Sequence, residues 1–315
     1  MENATPPSKN WDIVCAGELL IDCISTHFTD RIDTKQSYRM IPGGSPGNLC
    51  MNMARLGNRS ALVASIGQDD LGNLLQRQLE ALKVHTDYLA RRTAPTSLIL
   101  VSRSRDVARF EAYRSADHLI QADQLPEALL GTTRLFHSTC FGLSRQPAQS
   151  SILEAARKVR QFGAQLSIDL NYAAKIWPDR EAAQKVVAEY CALEPLVKIS
   201  EVDWERLYGR PFDRAEEAAH YLLDLGARVV CVTLGGAGCL VADAETQQFL
   251  AARSVEVRDT TGAGDAFWSG FLTAWLMGKS PLDCARSGRK MAELKLVHFG
   301  PLPAAVDREA VLSGQ

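Results

Sequence analysis

Asp259 to Phe267 reads DTTGAGDAF and runs through Trp268 into the apolar stretch SGFLTAWLM. Two glycines flank Ala263, so the amides of Gly262, Ala263 and Gly264 can converge where a helix begins. Unpaired donors and the positive end of the helix dipole make such a start an anion site of the kind a phosphate fills. Asp265 falls in the first turn. A carboxylate is a poor second ligand for an anion, but beside one it is well placed to take a proton from an attacking hydroxyl. The segment therefore predicts phosphoryl transfer with Asp265 as general base. Asp and Gly also open helices simply as caps, and a lone GAGD does not separate the two meanings. The deciding context lies elsewhere in the chain.

The 315 residues are 46% hydrophobic and 23% charged, the balance of a globular protein with a substantial core. No apolar run approaches the ~20 residues of a bilayer-spanning helix, and MENATPPSKN at 1–10 is polar, without a signal-peptide core. Residues 1–10 are expected to be flexible, the fold to begin near Trp11, and the chain to stay in the cytoplasm. A net charge of -2 with mixed signs leaves no basic footprint, so neither nucleic acid nor membrane is an expected partner. Arg91, Arg92, Arg103 and Arg105 read as solvated loop charges. The eight cysteines form no CxxC pair and no metal-ligand spacing. Several, such as Cys15 in WDIVCAG and Cys231 in VVCVTL, read as small buried hydrophobes in a reducing compartment. His137 and His298 lack metal-like spacing.

Short Val/Ile/Leu-rich runs recur as WDIVCAG (11–17), SALVASIG (60–67), RLFHS (134–138), AQLSIDL (164–170), LVKIS (196–200) and VVCVTL ending at Leu234. These read as buried strands. Helical stripes lie between them, one of Leu71, Leu74, Leu75, Leu79 and Leu82, another of Ile152, Ala155, Ala156 and Val159. Alternation of this kind predicts an α/β fold: a mainly parallel sheet, helices on both faces, and ligands at the strands' carboxyl ends. Residues 18–42 and 96–114 break the rhythm, since TSLILVS and VARFEAY flank the turn-like RSRD with no covering helix. They predict a small β lid on a single domain, and its uncovered strands predict a homodimer through the lid.

A second glycine-rich site, GGSPGN at 43–48, precedes the helix-like MNMARLG. Gly43 and Gly44 allow a ligand close to the backbone, and Asn48 offers both donor and acceptor. Taken alone, such a turn is more often a plain loop with an Asn in the first helical turn. Asp22, after the apolar ELLI, can accept two hydroxyls of one polyol. MGKS at 277–280 imitates the end of a P-loop, but position 273 is Thr and the motif follows a helix instead of opening one.

GGSPGN paired with DTTGAGDAFWSGF resembles the PfkB (ribokinase-like) family of carbohydrate kinases, over about Trp11 to Pro303. GELLID (17–22), IGQDDLG (66–72), DLNYAAKIW (169–177), VKISEVD (197–203) and VTLGGAG (232–238) agree with it. The resemblance implies an ATP-dependent, Mg²⁺-using sugar kinase in which Asp265 deprotonates a primary hydroxyl. Gly262, Ala263 and Gly264 would form the anion hole, while Asp22, Gly43, Gly44, Asn48 and Asn171 bind the sugar. Arg114, in the fructokinase-like FEAYRSAD at 110–117, would contact the sugar or form a lid ion pair. Thr233, Gly235 and Gly238 would face the nucleotide, although a tight turn explains Gly235 equally well. Asp259 and the Thr261 carbonyl resemble a monovalent-cation site, as in members that respond to potassium. Asp203, where relatives carry an NxxE pattern, is either a water-mediated magnesium ligand or a helix-start acid.

The leading substrate implied is D-fructose, with 2-keto-3-deoxygluconate as the alternative. Ala173, where many such kinases have Arg, argues against an acidic sugar. Arg289 stands where relatives place a small or amide residue near adenine. A nucleoside kinase would need a more apolar pocket than Asp22 and Asn48 provide, and an inactive scaffold would be expected to have lost Asp265 or the glycines.

Overall fold

Runs of β-branched and aliphatic residues too short for helices become strands when both their faces can be buried. The computed structural model describes residues 9–27, 29, 36–102, 109–177 and 179–314. Among these the strands, in chain order, are β1 Trp11–Ala16, β2 Leu20–Ser25, β3 Tyr38–Gly43, β4 Ser60–Gly67, β5 Leu89–Arg92, β6 Leu98–Ser102 and β7 Arg109–Tyr113. They continue as β8 Thr133–Thr139, β9 Gln165–Asp169, β10 Leu196–Ser200, β11 Val229–Thr233, β12 Gly238–Asp243 and β13 Gln247–Ala251.

The main sheet has the order β13-β12-β11-β10-β9-β8-β1-β4-β5 and is parallel except for β12 and β13. Side chains alternate along β1. Val14 and Ala16 join the core under helices Ala148–Gln161, Arg180–Cys191 and Ala215–Asp224. Ile13 and Cys15 join the opposite core, under Ser45–Arg55, Ala263–Leu276 and Pro281–Leu296. From β1 the order runs outward through β4 to β5 on one side and from β8 to β11 on the other. The chain thus changes direction between β1 and β8, and open α/β sheets bind ligands at carboxyl ends beside such a reversal.

At that point Gly17, Glu18 and Leu19 lead from β1 into a second sheet of order β3-β2-β6-β7. The segments expected to form the lid supply these four strands. Residues 28, 30–35 and 103–108, with the RSRD turn, Arg103 and Arg105, lie outside the described residues, as do 1–8. Asp69 ties the two sheets: it caps helix Asp70–Ala81 through Gly72 N at 2.8 Å, and it accepts from Thr96 N at 2.7 Å, just before β6.

The structure departs from the sequence reading at both edges of the main sheet. Arg91 and Arg92 are not loop charges but lie in β5 at the sheet edge. Arg92 donates to the Leu119 carbonyl at 2.8 Å and to Gln124 Oε1 at 2.7 Å, and Arg91 is held by Asn73, so both are spent on fastening the edge. β12 and β13 extend the other edge antiparallel; Phe249 in β13 is exposed, which hides the alternation that marks a half-buried strand. The eight cysteines are all unpaired and seven of them are buried, as the sequence analysis expects.

Candidate active site

Asp265 stands in the first turn of helix Ala263–Leu276, whose N-cap Gly262 adopts φ 75, a left-handed conformation suited to glycine. No side chain caps this helix. Across from it, helix Ser45–Arg55 begins after Gly44 and also lacks a side-chain cap. Ser45 Oγ donates to Asp265 Oδ1 at 2.5 Å, and Asn48 Nδ2 donates to Oδ2 at 2.9 Å. The two glycine-rich segments, more than two hundred residues apart in sequence, therefore meet at one carboxylate. Burial raises the Asp265 pKa to about 6, against the lowering effect of Ser45.

Asp22 faces the same cleft from β2. Burial, and then the charge of Asp265, raise its pKa to about 7. Gly43 is required beside it, because a Cβ there would overlap the Asp22 carboxylate. The cleft is lined further by Asn48, Asn52, Arg55, Thr261 and Gly262. Beneath it Glu18, absent from the sequence-level candidates, accepts from Ser45 N at 3.2 Å and from Thr139 Oγ1 at 2.7 Å. It bridges β1 to β8 at the reversal point, and burial raises its pKa to about 8. Ser45 was missed as well.

Lys198 is the most consequential residue the sequence reading overlooked. It lies in β10, is 5% exposed, and its Nζ bonds both Asp169 oxygens, at 2.9 and 2.8 Å. Burial alone would push the ammonium down, but the charges of Asp169 and Asp203 hold its pKa above the ordinary lysine value. A Cβ on Gly264 would come within 3.2 Å of this Nζ, so the cation lies directly behind the anion nest. The available signal was a lysine inside the otherwise apolar run LVKIS.

The remaining candidates divide. Asn171 Oδ1 accepts from Phe141 N at 3.0 Å and orders the loop after β8. Arg114 forms the ion pair of its two open roles: its buried guanidinium bonds Asp117 at 2.5 Å and Ser144, and it lies 4.4 Å from the Phe141 ring centroid. Asp203 supports a helix start, since the N-cap Ser200 Oγ accepts from Asp203 N at 3.1 Å and donates to its carboxylate at 2.5 Å. Burial raises the Asp203 pKa to about 6. Thr233 and Gly235 lie at the carboxyl end of β11, with Gly235 at φ 49. Gly238 has a packing reason to be glycine, because a Cβ there would overlap the Leu250 carbonyl of the paired strand. Arg289 donates to the Ala251 carbonyl at 3.0 Å.

At the expected potassium position the Asp259 carboxylate meets groups of the chain itself. Asp259 Oδ2 accepts from Lys295 Nζ at 3.2 Å and from Gly300 N at 3.1 Å, while Oδ1 accepts from Thr261 N at 3.0 Å. Burial works to raise the Asp259 pKa, but the amides of Thr261 and Gly300 and the Lys295 charge outweigh it and hold the carboxyl below its ordinary value. The carboxylate is thus already engaged by a cation of the chain itself.

Comparison with known proteins fits this geometry. The family described as pfkB family carbohydrate kinase matches residues 11–306. The chain is 31% identical over 305 residues to an ATP-dependent 6-phosphofructokinase of Thermoanaerobacterium thermosaccharolyticum, covering 97% of this chain and 94% of the relative. It is 32% identical over 266 residues to fructokinase-2 of Solanum habrochaites, covering 83% and 80%. A crystal structure of fructokinase from Vibrio cholerae with fructose, ADP and calcium bound superposes with a TM-score of 0.82 at 27% identity, over 96% of this chain and 98% of that one. The chain belongs to the pfkB family of carbohydrate kinases, phosphotransferases that act on a sugar hydroxyl.

Proposed function

We propose that the protein uses ATP with Mg²⁺ to phosphorylate a primary hydroxyl of a ketohexose, with D-fructose the leading acceptor. The observation that carries this reading is that Asp22 and Asn48 line one cleft with Gly262 of an uncapped helix start, and that Asn48 donates to Asp265 in the first turn of that helix. Asp22 and Asn48 suit the hydroxyls of a polyol, and the absence of Arg at Ala173 disfavours 2-keto-3-deoxygluconate. The hydroxyl proton passes to an Asp265 oxygen as the new O–P bond forms and the bond to ADP breaks. The Gly262 and Gly264 amides, with Lys198 behind them, offset the charge on the transferring group, while the Ala263 amide of the expected anion hole donates instead to the Thr260 carbonyl at 3.1 Å.

Thr233 and Gly235 are assigned to the nucleotide, and Mg²⁺ bound with it would offset the charge of the phosphates. Among the described residues no group of three or more His, Cys, Asp or Glu side chains forms a metal cage. That suits Mg²⁺, which is commonly bound through phosphates, waters and one or two carboxylates. We assign Asp203 to that water shell.

A second reading, a phosphorylated fructose as acceptor, is favoured by the similarity to the 6-phosphofructokinase and by Arg55. This guanidinium lines the cleft and donates only to neutral oxygens in the hydrogen bonds resolved for it, Asn52 Oδ1 and the Pro303 carbonyl, both at 3.0 Å. The deciding measurement is ADP release with fructose, fructose 6-phosphate, ribose, ketodeoxygluconate and adenosine. Fructose is expected to give the highest kcat/KM. A larger value for fructose 6-phosphate selects the second reading, one for adenosine a nucleoside kinase, and release with none of them in a wider panel a scaffold.

We assign the four-stranded sheet the role of a lid over the acceptor and of a dimer contact, because Met40 and Tyr113 on its outer strands are 54% and 61% exposed. Light scattering at micromolar concentration is expected to give a dimer; a monomer would end the dimer proposal. Among the described residues no helix is long and apolar enough to cross a membrane. The unpaired cysteines suit the reducing cytoplasm we infer as its location.

A further inference from the structure

We propose that Lys295 is a built-in monovalent cation that replaces potassium beside the anion nest, so that the kinase works without any added alkali ion. Lys295 lies in the last turn of helix Pro281–Leu296, is 5% exposed, and extends its ammonium to Asp259 Oδ2 at 3.2 Å and the His298 carbonyl at 3.3 Å. The backbone closes around it. Arg258 N bonds the Leu296 carbonyl at 2.8 Å, and Gly300 N and Thr261 N share the Asp259 carboxylate. The same stem runs to the nest, because a Cβ on Gly262 would lie 3.8 Å from Lys295 Cε.

A free potassium ion needs a set of oxygens that no other cation holds. Here a carboxylate oxygen and a carbonyl already surround an ammonium, which carries the same single charge and is close to potassium in size. Both charges are buried, so admitting a second cation would mean expelling the first or stacking like charges in a poorly solvated place. Tethering also gives the ammonium a local concentration that dissolved ions reach only at high salt. Its position orders residues 259–262 and adds positive charge behind amides that meet a phosphoryl group.

The inference rests on the kinase reading for its catalytic part, and its test separates the two. Activity with ATP, Mg²⁺ and the best acceptor is measured in tetramethylammonium chloride, then with KCl, NH₄Cl or LiCl at constant ionic strength. Melting temperature is followed in the same buffers. The parent is expected to change less than twofold in kcat and KM and to show no specific stabilisation by K⁺. Lys295→Ala is expected to lose about tenfold or more in kcat without such ions, and to recover with K⁺ or NH₄⁺ but not Li⁺. Its melting temperature should rise with K⁺ as a bound ligand requires. Lys295→Arg, which keeps the charge, should remain indifferent to K⁺.

Several-fold activation of the parent by K⁺ would overturn the inference while leaving the kinase reading intact. So would a folded Lys295→Ala that keeps full activity without ions, or one that no cation rescues in either activity or melting temperature. If the parent phosphorylates no acceptor, the kinase reading fails, and the melting comparison still decides whether Lys295 fills a cation site.

Discussion

Replacing Asp265 by asparagine is expected to lower kcat by about 10²- to 10⁴-fold, the usual contribution of a positioned general base, with little change in sugar affinity. Asparagine keeps the shape held by Ser45 and Asn48 but cannot take the hydroxyl proton. Asp265 titrates at about 6, so kcat/KM of the parent should fall as pH drops through that value, because the base must be ionised in the free enzyme. The variant should lack this acid limb. The same raised pKa has the opposite sign for stability. The folded state holds the Asp265 proton more tightly than the unfolded chain does, so its stabilising contribution is present at acid pH and lost as pH rises through about 6. Asp265→Asn should therefore melt no lower than the parent at pH 7.5. Near-normal turnover by a folded variant would remove Asp265 from the chemistry.

Lys198→Met is expected to destabilise the fold by about 3–5 kcal/mol, the usual cost of leaving one member of a buried ion pair without its partner. Lys198 and Asp169 are both almost fully buried, at 5% and 3% exposure, so water cannot readily solvate the abandoned carboxylate. Urea unfolding measures the loss. Adding Asp169→Leu, which removes the stranded charge, should recover much of it. A loss below about 1 kcal/mol for Lys198→Met alone would contradict a buried ion pair between Lys198 and Asp169.

Central strands were legible because burial on both faces leaves short, mostly apolar runs; VVCVT at 229–233 coincides with β11. The edges were not. β5 reads LARR, and β13 reads QQFLA with its Phe249 in solvent, so neither carries the pattern of a buried strand. In the candidate site, glycines and acids announced themselves by their place in recognisable motifs. Ser45, Glu18, Lys198 and Lys295 did not, because their meaning depends on partners far away in the chain: Ser45 on Asp265, Glu18 on Thr139, Lys198 on Asp169, Lys295 on Asp259. Lysine in a strand or a helix tail usually reads as a solvated charge. Only the tertiary structure shows that both ammonium groups are buried against carboxylates beside the same helix start.

Catalysis requires a sugar hydroxyl to meet Asp265, and a crystal structure with the best acceptor and a non-hydrolysable ATP analogue tests this most directly. The expected result is a primary hydroxyl oxygen within about 2.6–3.2 Å of an Asp265 carboxylate oxygen, other hydroxyls on Asp22 and Asn48, and the terminal phosphate beside the Gly262 and Gly264 amides. An acceptor bound in that cleft with no hydroxyl near Asp265, or one bound elsewhere on the protein, would contradict it.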